Sequence, residues 1–134
     1  MTRYVTDTHA LVWYLQSSSQ LSDAARTIFV EADEGKNEIS VPSIVLVEFV
    51  YLAERKRIEF ALVKKAFDLL TPATLNYRVV SLDTEIVRAL QEIDRVKIPE
   101  MPDRIIAATA KHLNISLVTR DEAITSSGLV TVVW

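Results

Sequence analysis

The sequence contains no cysteine, only two glycines and only two histidines. Without cysteine there is neither a disulfide framework nor a thiolate metal site, and a reducing compartment is compatible with the chain. Two glycines, Gly35 and Gly128, cannot build a glycine-rich phosphate loop. No apolar stretch is long and unbroken enough to span a bilayer. Met1-Thr2-Arg3-Tyr4 runs directly into a strand-like segment and not into the apolar core of a secretion signal. The expectation is a cytoplasmic protein with no membrane contact. Positive charge is also in short supply, with 15 Lys and Arg against 18 Asp and Glu, a net charge of −3. Nucleic-acid binders are more often basic. The balance therefore counts against one, unless the acids gather around a cation that reverses the local sign.

What is present is a folded chain. Apolar residues make up 49% of 134 positions, which suits a single domain over residues 1–134 with a core that needs no staples. No repeat or low-complexity tract occurs. Short β-branched runs alternate with longer amphipathic ones. Strands are expected at 4–6, 38–41, 77–81, 116–119 and 129–133. Helices are expected from Asp7 or Thr8 to about Ser17, from a Ser22 cap to about Glu34, from Pro42 in a first turn to Arg57, and over roughly 59–70. Two more are expected from an Asp83 cap to about Val96 and from Pro102-Asp103 to His112. Strands separated by helices imply right-handed crossovers and a mainly parallel α/β sheet covered on both faces. Such sheets bind ligands beyond the carboxyl ends of their strands, near the point where strand order reverses.

Two acids fall where that rule directs attention, and two more stand out on other grounds. Asp7 directly follows the first strand, and Asp121 follows the fourth after one intervening residue; either is equally a favoured helix N-cap. Glu48 lies in Ile44-Val45-Leu46-Val47-Glu48-Phe49-Val50-Tyr51-Leu52, so its helical neighbours Ile44, Val45, Tyr51 and Leu52 are all apolar or aromatic. A carboxylate there is costly unless it is paired or bound to metal. Asp103 opens an apolar helix, where the helix dipole also favours an acid. Four converging carboxylates would repel one another, and a divalent cation with oxygen ligands, Mg²⁺ or Mn²⁺, resolves that cost. Such a centre activates water and neutralises a phosphodiester without needing His or Cys.

These residues resemble the PIN-domain family, and in particular its toxin nucleases of type II toxin–antitoxin pairs (VapC-like). The matching segments are Val5-Thr6-Asp7-Thr8-His9-Ala10-Leu11-Val12-Trp13, Pro42-Ser43-Ile44-Val45-Leu46-Val47-Glu48, Pro102-Asp103-Arg104-Ile105-Ile106-Ala107-Ala108 and Leu117-Val118-Thr119-Arg120-Asp121. The resemblance implies a three-layer α/β/α fold and an endoribonuclease dependent on Mg²⁺ or Mn²⁺. It implies catalytic acids Asp7, Glu48, Asp103 and Asp121, with Asp7, Asp103 and Asp121 holding the cation and Glu48 completing the site or orienting the attacking water. It also implies a supporting hydroxyl at Thr119, an RNA substrate, a cognate antitoxin and a homodimer. Many relatives carry Asp-Pro-Phe-Asp-Arg around the third acid. Here the run is Glu100-Met101-Pro102-Asp103-Arg104, with Glu100 in place of the first aspartate and the proline shifted.

Arg104 and Arg120 flank proposed ligands and are the candidate RNA contacts at the pocket rim. Arg55-Lys56-Arg57 reads as a helix-end dipole partner. His9 reads as an ordinary early helix residue, and Trp13 and Tyr14 as core or dimer contacts. Two rivals remain. One is a receiver-type phosphoacceptor module using Asp83, although no lysine follows the fifth strand and Asp7 has no acidic partner beside it. The other is a PIN-like binding protein without catalysis.

Overall fold

The structure is a computed structural model, and it describes residues 1–71 and 76–134. The elements run β1 (Thr2–Thr6), α1 (Thr8–Leu15), α2 (Asp23–Asp33), β2 (Asn37–Pro42), α3 (Ser43–Glu54), α4 (Phe60–Leu69), β3 (Tyr77–Val80), α5 (Thr84–Leu90), α6 (Met101–Leu113), β4 (Ser116–Val118), α7 (Glu122–Ser127) and β5 (Val132–Val133). The five strands form one sheet in the order β3-β2-β1-β4-β5, and every pairing is parallel. This is the expected three-layer α/β/α arrangement. The chain walks from β1 to β3 in one direction, then crosses back over two strands to β4 and continues outward to β5. Strand order therefore reverses between β1 and β4, which opens a crevice at their carboxyl ends.

The core is aliphatic and continuous. Val5, Ile39, Val41, Leu117 and Val118 from the sheet, Phe29 and Phe49 from helices, and Ile106 and Ala107 from α6 are all buried. Tyr14 of α1 stacks on Phe29 of α2 with ring centroids 4.7 Å apart, as expected of a core contact. The Tyr14 hydroxyl and the Tyr77 hydroxyl both donate to Asp33 at the end of α2, tying α1, α2 and β3 together. Burial and the Asp33 carboxylate push both phenols well above their usual range. Among the described residues, no helix is long and apolar enough to cross a membrane.

Three element ends differ from the sequence-based expectation. Pro42 lies outside the first turn of α3: it is the last residue of β2, extended at ψ 138°, in register with Val80 of β3. α3 stops at Glu54 and does not reach Arg57. Lys56 turns into the left-handed region at φ 60°, the Lys56 N–H donates to the Ala53 carbonyl and the Arg57 N–H donates to that of Leu52. That pair of bonds is a Schellman ending built on lysine instead of glycine. α5 stops at Leu90 and does not reach Val96: the Ile93 N–H tightens onto the Leu90 carbonyl in a three-residue turn, and Arg104 braces this end. The Arg104 guanidinium donates to Leu90 O at 3.1 Å and to Ile93 O at 2.8 and 3.2 Å. Scarce glycine leaves Ser17 and Asn114 in left-handed positions too.

A side chain with a Cβ costs about 1–2 kcal/mol in that region relative to glycine. Lys56→Gly is therefore expected to raise the unfolding free energy by roughly 0.5–1 kcal/mol after the entropy of the more flexible unfolded chain is subtracted. A urea denaturation curve with unchanged m-value and a higher midpoint is the expected result.

Candidate active site

The crevice between β1 and β4 is where the acids collect. Asp7 follows β1 and caps α1, its Oδ1 accepting the Ala10 N–H at 2.8 Å. Its other oxygen, Oδ2, accepts the Thr119 hydroxyl. Thr119 is fully buried just past β4, and its Oγ1 in turn accepts the Asp121 N–H at 3.0 Å. The Asp7 N–H donates to the Val118 carbonyl at 3.2 Å, which fastens the two strand ends to each other. Asp121 caps α7, its Oδ1 accepting the Ile124 N–H at 2.9 Å. For Asp7 and Asp121, the capping role and the site role are carried by the same side chain.

Glu48 enters from α3, which follows β2, the strand beside β1. Its Oε1 accepts the hydroxyl of Thr8, the residue after Asp7. Thr8 is buried, and nothing in the sequence pattern singled it out. Asp103 stands in the first turn of α6, where Pro102 is tolerated because first-turn N–H groups have no helical partner. Burial and the repulsion of Asp121, Glu48, Asp7 and Glu100 raise the Asp103 carboxyl to about 7. Burial chiefly raises Asp7 to about 6, with Asp121 adding to the rise, while the Thr119 hydroxyl, the Ala10 N–H and His9 oppose it. Glu100 is thus a fourth negative neighbour acting on Asp103.

The cations do not neutralise this cluster. Among the described residues, none of Asp7, Glu48, Asp103 and Asp121 forms an ion pair. Arg104 is turned onto the carbonyls that end α5, and it does not line the cleft that holds Asp7 and Asp121. Arg104, the other candidate RNA contact, spends three hydrogen bonds on those backbone carbonyls. Arg120 is at the rim and lines that cleft of about 300 Å³ together with Asp7, His9, Trp13 and Asp121. Trp13 therefore faces the site and is not simply core, and His9 is a wall residue as well as an early helix residue. Asp83 caps α5 after β3, at the sheet edge and two strands away from β1. A receiver-type site on Asp83 would need it in the central crevice.

The donor set suits a hard divalent cation, since it offers only oxygens and a net negative field. Among the described residues, no three His, Cys, Asp or Glu side chains stand close enough together to hold one metal ion. The acids share a field without closing on one point.

A model of the PIN domain family matches residues 4–126. The chain is 28% identical over 126 residues to ribonuclease VapC22 of Mycobacterium tuberculosis, an alignment covering 94% of this chain and 92% of that protein. Among solved structures it resembles VapBC2 from Rickettsia felis bound to a DNA fragment from their promoter, with TM-score 0.72, 18% identity and 98% of each chain covered. It also resembles a toxin–antitoxin complex from Klebsiella pneumoniae, with TM-score 0.62, 21% identity, and 98% and 96% of the two chains covered.

Both raised carboxyls hold protons in the folded state that the unfolded chain, titrating near 3.8, has released. Their contribution to stability is full below about pH 4 and is lost as pH rises through about 6 for Asp7 and about 7 for Asp103. In EDTA, Tm is expected to fall between pH 5 and pH 8. Asp103→Asn should flatten that slope and raise Tm at pH 8 by about 3 °C or more, and Mg²⁺ should restore stability to the unsubstituted protein at pH 8. A thermal melt series at fixed ionic strength checks all three.

Proposed function

The chain belongs to the PIN-domain family, and from that premise we propose that it is a divalent-metal-dependent endoribonuclease, the toxin of a toxin–antitoxin pair. The observation that carries this reading is the unpaired acid cluster at the β1–β4 crevice, where Asp103 is pushed up to about 7 by burial and by four neighbouring acids. A structural acid cluster would have been relieved by arginine, and two arginines adjacent in sequence to its members are directed elsewhere.

In this reading Asp7, Asp103 and Asp121 hold Mg²⁺ or Mn²⁺, directly or through water. When bound, the ion supplies a water of lowered pKa and neutralises charge on the phosphodiester. Glu48, fixed by the Thr8 hydroxyl, accepts a hydrogen bond from the attacking water and aims it at phosphorus. Thr119 keeps one Asp7 oxygen and the Asp121 backbone in register. Arg120 meets the RNA at the rim. The partners that follow from the same reading are a cognate antitoxin, which shuts the nuclease off, and a second copy of the chain. The cytoplasm, where its RNA would be, is the corresponding location.

Asp7→Asn keeps an amide oxygen to cap α1 and so preserves the fold while removing the charge. It is expected to lower cleavage of a fluorescently labelled RNA in Mg²⁺ by at least about 100-fold, the loss typical of removing one strong electrostatic contributor. Circular dichroism should remain unchanged, and EDTA should abolish cleavage by the unsubstituted protein. Undiminished cleavage by folded Asp7→Asn protein would exclude the assignment.

A further inference from the structure

The cleft carries a second kind of chemistry above its acidic floor. The Arg120 guanidinium carbon lies 4.5 Å from the Trp13 ring centroid, well inside the ~6 Å reach of a cation–π contact. Trp13 is braced by two further rings: His9, with centroids 5.5 Å apart and planes tilted 46°, and Trp134, edge-on at 5.9 Å. Arg120 is exposed and, among the described residues, forms no ion pair, although Asp121 follows it in the chain. A cation whose task was to quench the acids would lie on them. One whose task was only to attract phosphate would need no indole beneath it.

We infer that the Trp13–Arg120 stack is a nucleobase platform: an unpaired RNA base beside the scissile phosphate lies on the outer face of the Arg120 guanidinium, which Trp13 holds in place. The inference rests on the nuclease reading for the identity of the ligand and adds which part of it is recognised. Guanidinium planes and aromatic rings are the surfaces on which single-stranded RNA bases stack, whereas the bases of an A-form duplex are buried in their own stack. The ligand class is therefore single-stranded or loop RNA, recognised through π-faces and so tolerant of sequence at that position. His9 and Trp134 act on the base only through Trp13 and are positioning residues.

Arg120→Lys keeps the charge and removes the planar face. Binding is measured by fluorescence anisotropy, with intact protein in Ca²⁺ and gel analysis of RNA integrity. The probes are a labelled single-stranded RNA and a ribose-phosphate oligomer of equal length lacking bases. The unsubstituted protein is expected to bind the RNA about tenfold tighter than the abasic oligomer. Arg120→Lys should lose about that factor on RNA and stay within about twofold on the abasic oligomer. Equal loss on both probes would reduce Arg120 to a phosphate contact and overturn the platform, as would no loss on either, or no preference for RNA in the unsubstituted protein. The nuclease reading fails separately, if the same preparation cuts no RNA in Mg²⁺, and base-dependent binding would then still uphold the platform.

Discussion

Negative charge buried without a counter-charge is the constraint on which the rest of this molecule turns. A carboxylate removed from water is tolerated when it is neutralised, paired or hydrogen-bonded. Here pairing is withheld, so hydrogen bonds and proton uptake carry the load. Asp7 accepts from the Ala10 N–H and the Thr119 hydroxyl, and Glu48 accepts from Thr8. Burial and its acidic neighbours raise the Asp103 carboxyl to about 7, so it stays partly protonated near neutrality. The two threonines are buried hydroxyls that can donate to a carboxylate but bring no positive charge. They organise the acids without satisfying them, and the unsatisfied field is what a divalent cation would answer.

The disposition of arginine is the counterpart of that field. Arg104 follows Asp103 immediately, and on a flexible segment the two would be natural partners. On α6 the Arg104 side chain instead reaches the carbonyls of Leu90 and Ile93 and braces the turn that follows α5. Arg120 is likewise drawn off Asp121 by the Trp13 ring. An acid cluster survives in a folded protein only when nearby cations have somewhere better to be, and in both cases the alternative partner is built into the fold.

Much of this was legible in the sequence, for identifiable reasons. Glu48 among Ile44, Val45, Tyr51 and Leu52 announces a carboxylate that must find a partner, and Asp7 and Asp121 stand just past the two strands that meet at the reversal of order. Strand and helix alternation carried the layer arrangement. What was hidden depends on contacts distant in the chain. The end of α5 is braced by an arginine 14 residues beyond Leu90, a contact that no local periodicity encodes. The end of α3 lies at a lysine in a left-handed conformation, where a glycine would have been readable. Trp13 reads as core on helix spacing, and only the return of β4 shows that Arg120 lies over it. Thr8 looks like any buried threonine until Glu48 arrives from α3.

The acidic balance of the chain, which argued against a nucleic-acid partner, loses force once the charges are located. Charge acts on a ligand through the potential at the contact surface, and not through the sum over the sequence. Asp7 and Asp121 line one cleft, Asp103 and Glu48 share its field, and a divalent cation there would invert the sign. Of the acids outside it, Glu38, Glu34 and Asp68 are already paired with Arg3, Arg78, Lys36 and Lys64. Among the described residues, Arg120 lines the mouth without an ion pair, mounted on an aromatic ring. A polyanion approaching that mouth would meet positive charge and a flat stacking surface before it reached the acids. The feature that made nucleic acid look improbable, an excess of carboxylates, is therefore the one that would give such a ligand its site of reaction.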